Sequence, residues 1–189
     1  MIKFNMKFHT ISFVAAFSAV ALLGSCSRSG EPVGRNKLYL NATDTDSEAF
    51  TFLKTVHEKA VFETELAKYV ASTSASSEAK TLAADVVKTY DAIIPELEEL
   101  AATFHVVLPS PGMPAFVLPD QFLADSLASF DNAAYAGHVQ HEQEAIRAQF
   151  ERLSRNTISE LRVYANEKLP AVKTLFAAAG GEEDHGAHH

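Results

Sequence analysis

Between Val106 and Pro119 the chain carries prolines at 109, 111, 114 and 119. No helix continues through such a stretch, because proline lacks a backbone N–H and its ring clashes with the preceding turn. The residues on either side carry apolar stripes of helical period, so Val106–Pro119 reads as a connection between helices. It is long enough to cross from one end of a bundle to the other. No alternating strand pattern competes with this reading.

Two amphipathic segments precede the connection. Thr45-Asp46-Ser47-Glu48 has capping-box spacing, and Phe52, Val56, Ala60, Glu63, Leu66 and Val70 then form one stripe to about Ala71. Ser72 to Ser77 is a turn, and Ser76 or Ser77 can cap a second helix striped by Leu82, Val86, Tyr90, Ile93, Leu97, Leu100 and Phe104. Pro95 lies inside that stripe and is expected to remove one hydrogen bond and kink the helix.

Two more segments follow. Asp120 can cap a stretch with Phe122, Leu123, Leu127 and Phe130, and Asn132 marks a break before a stripe of Tyr135, Val139, Glu142, Ile146, Phe150 and Leu153. Thr157-Ile158-Ser159-Glu160 repeats the capping-box spacing ahead of Ile158, Leu161, Ala165, Leu169, Val172 and Phe176, and Gly180-Gly181 ends the segment. Four amphipathic helices, two short turns and a long Pro-rich crossover between helices 2 and 3 predict an all-α, ferritin-like four-helix bundle over residues 47–179.

The N-terminus carries a different signal. Lys3 and Lys7 precede an apolar run from Ile11 to Leu23, which is shorter than the ~20 residues a spanning helix needs. Leu23-Gly24-Ser25-Cys26 follows, with the only cysteine of the chain behind two small residues. This reads as a signal peptide over residues 1–25 with a lipobox. The resemblance to bacterial lipoproteins implies acylation at Cys26, so that membrane lipid is the first partner and the cell envelope the location. Ser27 is compatible with outer-membrane sorting in bacteria resembling the enteric model. With Cys26 lipidated, no thiol remains for disulfides, nucleophilic chemistry or metal binding. Residues 26–46 are polar, with Gly30, Pro32 and Gly34, and read as a flexible tether spanning ~25 Å.

Cleavage would remove Lys3 and Lys7, leaving 14 basic against 24 acidic side chains, a net of −10 with histidine neutral. That balance argues against nucleic acid and against electrostatic adhesion to anionic lipid. No phosphate-binding Gly-rich loop and no Gly-x-Ser-x-Gly occurs in the sequence.

Glu63, with Glu65-Leu66-Ala67, Leu108-Pro109, Tyr135, Phe150-Glu151 and Leu169-Pro170 occur in an order and spacing that resembles the bacterial domain of unknown function numbered 4142. The resemblance covers about Ser47 to Ala179. It implies an exported, ferritin-like bundle with no established general activity. That family's second and third helices each carry an Asp-His pair, and a histidine follows the Leu-Pro of the last helix. Matched residue by residue, these histidine positions fall on Tyr90, Gln143 and Leu175, with His141 two residues from the second.

A di-metal centre in such a bundle needs a Glu from each of two helices and Glu-x-x-His from each of the others. The one Glu-x-x-His, Glu182 to His185, follows Gly180-Gly181 and lies outside the four stripes. Glu63 lies on an apolar stripe and needs a donor, for which Tyr90 and Tyr135 are candidates. His138, His141 and Glu142 share one helical face and could converge on an ion, or form a polar edge with His138 beside Tyr135. The acidic tail over residues 180–189, with His185, His188 and His189, is expected to be disordered and could bind a divalent transition ion weakly. His57 and His105 are isolated and receive no role. Two functions follow as expectations. The first is a non-catalytic envelope lipoprotein acting through a protein partner or as a structural or stress-related module, with no cofactor. The second is a metal-binding or redox bundle.

Overall fold

The structure, a computed structural model, describes residues 43–109, 116–123 and 130–182. The signal segment, Cys26, and His185, His188 and His189 lie outside the described residues. Four helices form within them: α1 (Ser47–Ser72), α2 (Ser77–Thr103), α3 (Asn132–Leu153) and α4 (Ser159–Ala178). The all-α four-helix fold is as the stripes predict.

Local chemistry sets the helix ends, with some differences from the predicted caps. Asp46, one residue beyond Thr45, caps α1 by accepting from the Ala49 N–H at 2.7 Å. Ser76 caps α2 by accepting from the Ala79 N–H at 3.2 Å. Asp120 caps no helix by its side chain; it opens a single 3₁₀ turn, Asp120–Phe122, and Asp131 caps α3 instead. Thr157 does not cap α4 either. The cap position falls on Ile158, which makes no side-chain cap hydrogen bond, and its N–H donates to Asn156 Oδ1 at 2.8 Å just ahead of the helix. The last helix closes on Gly180, whose φ of +88° is a left-handed conformation natural to glycine. A Cβ on Gly181 would lie 2.3 Å from the Phe176 ring.

Hydrogen bonds between ends fix the direction of each helix. The Asp44 N–H donates to the Phe104 carbonyl at 3.2 Å, and the Asn156 amide donates to Asp46 at 3.0 Å. The start of α1, the end of α2 and the α3–α4 turn therefore share one end. At the other, the Ser76 N–H donates to Asn132 Oδ1 at 2.8 Å, joining the α1–α2 turn to the start of α3. Helices α2 and α3 thus run parallel, and the Pro-rich connection must travel the length of the bundle, as in ferritin-like folds. Helix α1 packs on α2 and α3, and α4 packs on the same two.

Pro95 does not end α2. Its ring lies on the exposed side, one turn after exposed Asp91, so the carbonyl that loses its helical partner faces water. Pro170 in α4 is likewise exposed, one turn after exposed Asn166. The core is aromatic and aliphatic: Phe52 and Phe150 meet edge to face at 5.0 Å, and Phe122, on the connection, is fully buried. Each such phenylalanine contributes about 1.5–3 kcal/mol by leaving water.

Candidate functional site

A polar layer interrupts the apolar core between α1, α2 and α3. Glu63 of α1 is 1% exposed, and its Oε1 lies 2.7 Å from His138 Nε2 of α3. One turn back on α1, Lys59 donates to Glu142 of α3. These pairs are antiparallel neighbours, because Lys59 and Glu63 are four apart on α1 and Glu142 and His138 four apart on α3. Tyr90 of α2 donates to Gln143 Oε1 at 2.5 Å, with both side chains fully buried. Tyr135 is fully buried as well.

Sequence reasoning places Glu63, Tyr90 and Tyr135 in the bundle interior, and the structure places them there. It differs in the pairing. Gln143, rather than Glu63, is the acceptor for Tyr90, and His138 is the partner of Glu63. Gln143 takes the inward position on α3, while Glu142 sits at the α1–α3 seam with Lys59. The hydrophobic pattern marks Glu142 and Gln143 equally, and only the rotation of α3 against α1 distinguishes them. Two positions where the resembling family carries histidine, Tyr90 and Gln143, are therefore in direct contact.

The His138, His141 and Glu142 set does not converge. His138 and Glu142 turn to different partners on α1, and His141 is exposed. Among the described residues no three His, Cys, Asp or Glu side chains are grouped to hold a metal ion. A ferritin-like di-metal centre draws carboxylate or imidazole ligands from all four helices. Here the buried residues of α2 and α4 include no carboxylate or imidazole, and the Lys59 ammonium occupies Glu142, where it would repel a divalent ion. The donor set does not fit such a centre.

Two histidines without a sequence signal also have partners. His57 is buried, with Nε2 3.0 Å from Glu98 Oε1 of α2. His105 adopts a left-handed φ of 56° at the end of α2 and reaches Asp44 at 2.8 Å. Both contacts join residues far apart in sequence, which a single helical stripe does not display.

Three polar atoms of the layer, Glu63 Oε2, Tyr135 OH and Gln143 Nε2, are buried with no hydrogen-bond partner among the described residues. An unsatisfied buried group costs about 1–3 kcal/mol, more when charged. Burial pushes the phenols of Tyr90 and Tyr135 far above the ordinary tyrosine range, reinforced by the negative charge of Glu63. Both stay protonated at any physiological pH.

His138 is the member of the layer that responds to pH. Burial works against its charged form, but the hydrogen bond to Glu63 and the negative charges of Glu63 and Glu142 outweigh burial and the opposing charge of Lys59, raising its pKa. A histidine whose folded pKa lies above its unfolded one contributes stability that is complete below the unfolded value. That contribution is lost as pH rises through the folded value. Thermal melts from about pH 6 to about pH 9 should therefore show a fall in Tm that His138→Gln removes. An identical fall in His138→Gln would assign it to other groups.

Comparison with curated proteins and with solved structures returns no match. The family described as "Domain of unknown function (DUF4142)" matches residues 39–180, which covers all four helices, the connection and the polar layer. The chain belongs to the DUF4142 family.

Proposed function

We propose that this protein is a lipid-anchored component of the bacterial cell envelope, whose DUF4142 domain acts through contacts with an envelope protein or as a structural module, without chemistry of its own. The observation that carries the reading is Leu23-Gly24-Ser25-Cys26 behind the apolar run Ile11 to Leu23. Acyl chains on Cys26 hold the protein to the membrane, and a polar tether lets the helical domain stand off from it. Among the described residues no helix is long and apolar enough to cross a membrane.

The polar layer supports the non-catalytic part. Its two carboxylates are engaged by the chain's own cations, Glu142 by Lys59 and Glu63 by His138. Such internal pairing suits a fixed helix–helix seam better than a group poised for substrate. The net charge of −10 expected after cleavage disfavours nucleic acid as the partner.

Replacing the single thiol tests the anchor. Cys26→Ala, expressed in cells, should accumulate as unprocessed precursor or move to the soluble envelope fraction, while the parent chain stays with membranes and incorporates labelled palmitate. A variant that is still processed and membrane-bound would refute lipidation at this residue.

A further inference from the structure

We propose that residues 116–123 of the crossover form a lid on the polar layer, seated by aromatic contacts and opening locally to admit water to Glu63 and Tyr135.

Two rings seat the lid. Phe116 packs against Phe62 at 5.7 Å and Tyr69 at 6.3 Å, both on α1. Phe122 lies edge-on to the His138 ring at 5.2 Å and stacks on Phe130 at 6.3 Å. Among the described residues the backbone tethers of this segment lie near Phe122. Leu123 bridges to Phe130, the Asp131 N–H donates to the Phe122 carbonyl at 2.9 Å, and the Phe122 N–H closes a turn on the Pro119 carbonyl at 3.1 Å. Val117, beside Phe116, is 76% exposed and adds little to the seat.

Beneath the lid the layer is incompletely satisfied. His138 hydrogen-bonds Glu63, so Glu63 is one side chain removed from Phe122. Tyr135 touches Phe130 at 5.7 Å and is one side chain removed from the same ring. Glu63 Oε2 and Tyr135 OH are both buried and unpartnered among the described residues. Closing the lid removes Phe122 from water and half-buries Phe116. It also holds a carboxylate oxygen and a phenol away from water, and these opposing terms are of comparable size. A segment balanced in this way opens locally without unfolding the helices beneath it.

The test is amide hydrogen exchange on the full chain, comparing the lid-reporting amides of Phe122, Leu123 and Asp131 with the core amides of Val56 and Ile146. In the parent, the lid amides should exchange faster than the core amides and with little dependence on added denaturant. Phe122→Ala should speed the lid amides further. Tyr135→Phe removes only the unpartnered hydroxyl, so it stabilises the closed state against any opening that wets this residue. It should slow the lid amides by about fivefold or more. Lid amides that exchange only with the core, or that fail to slow in Tyr135→Phe, would overturn the proposal.

Discussion

Tyr90→Ala is expected to destabilise the bundle by about 3 kcal/mol or more, as for other fully buried aromatic side chains cut back to a methyl group. The ring of Tyr90 fills the centre of the core, and its hydroxyl is bonded to Gln143 at 2.5 Å. Truncation opens a cavity and also leaves Gln143 Oε1 buried without a donor. Tyr90→Phe keeps the ring and removes only the donor, so it should cost about 1–3 kcal/mol, the penalty for an unsatisfied buried acceptor. Combining Tyr90→Phe with Gln143→Leu removes both polar partners and should recover much of that loss. Urea midpoints of the variants provide the comparison. Equal midpoints for the parent and Tyr90→Ala would place this residue outside the core.

A loss of about 3 kcal/mol is also expected for His138→Ala, because removing one member of a buried ion pair leaves the other charge uncompensated. Glu63 is 1% exposed and has no second partner among the described residues, so its carboxylate cannot be rescued by a small side-chain movement. The His138 side chain is 18% exposed, and water reaching its outer edge places the effect at the lower end of the range for buried pairs. The substitution also withdraws a ring from Phe122 and Phe62. Exchanging both members together, Glu63→Met with His138→Leu, should be far milder than His138→Ala, since a buried pair replaced by packed apolar groups often leaves stability unchanged or raised.

The helices are legible because each carries a stripe of period 3.6, with polar capping residues near the starts of the first three and Gly180-Gly181 behind the last. Even so, Asp46 displaces Thr45 as a cap. Its second carboxylate oxygen is held by Asn156, 110 residues away, and that contact has no local signature. The polar layer was legible in part. Glu63 and the tyrosines stand out as polar or amphipathic residues on apolar stripes, and this interruption of pattern locates them in the interior. Their partners depend on how α3 rotates against α1 and how α2 faces both. For this reason the sequence distinguishes Gln143 only through its match to the resembling family's histidine, and gives Lys59 no signal as the counter-charge of Glu142. By sequence, the stretch between Asp120 and Phe130 reads as a capped segment leading into α3. Its described part is a single 3₁₀ turn and an extended pair, with Phe122 anchored by side-chain packing on His138 and Phe130.

Whether the layer is neutralised from within is measured directly by a double-mutant cycle on Glu63→Gln and His138→Gln. Urea unfolding of the parent, both single variants and the double variant, below and above the titration of His138, gives the coupling between the two side chains. A favourable coupling of about 1–3 kcal/mol is expected while His138 is charged, shrinking once it is neutral. Additive effects at both pH values would show that Glu63 and His138 do not hold one another, and the claim of an internally paired core would fail.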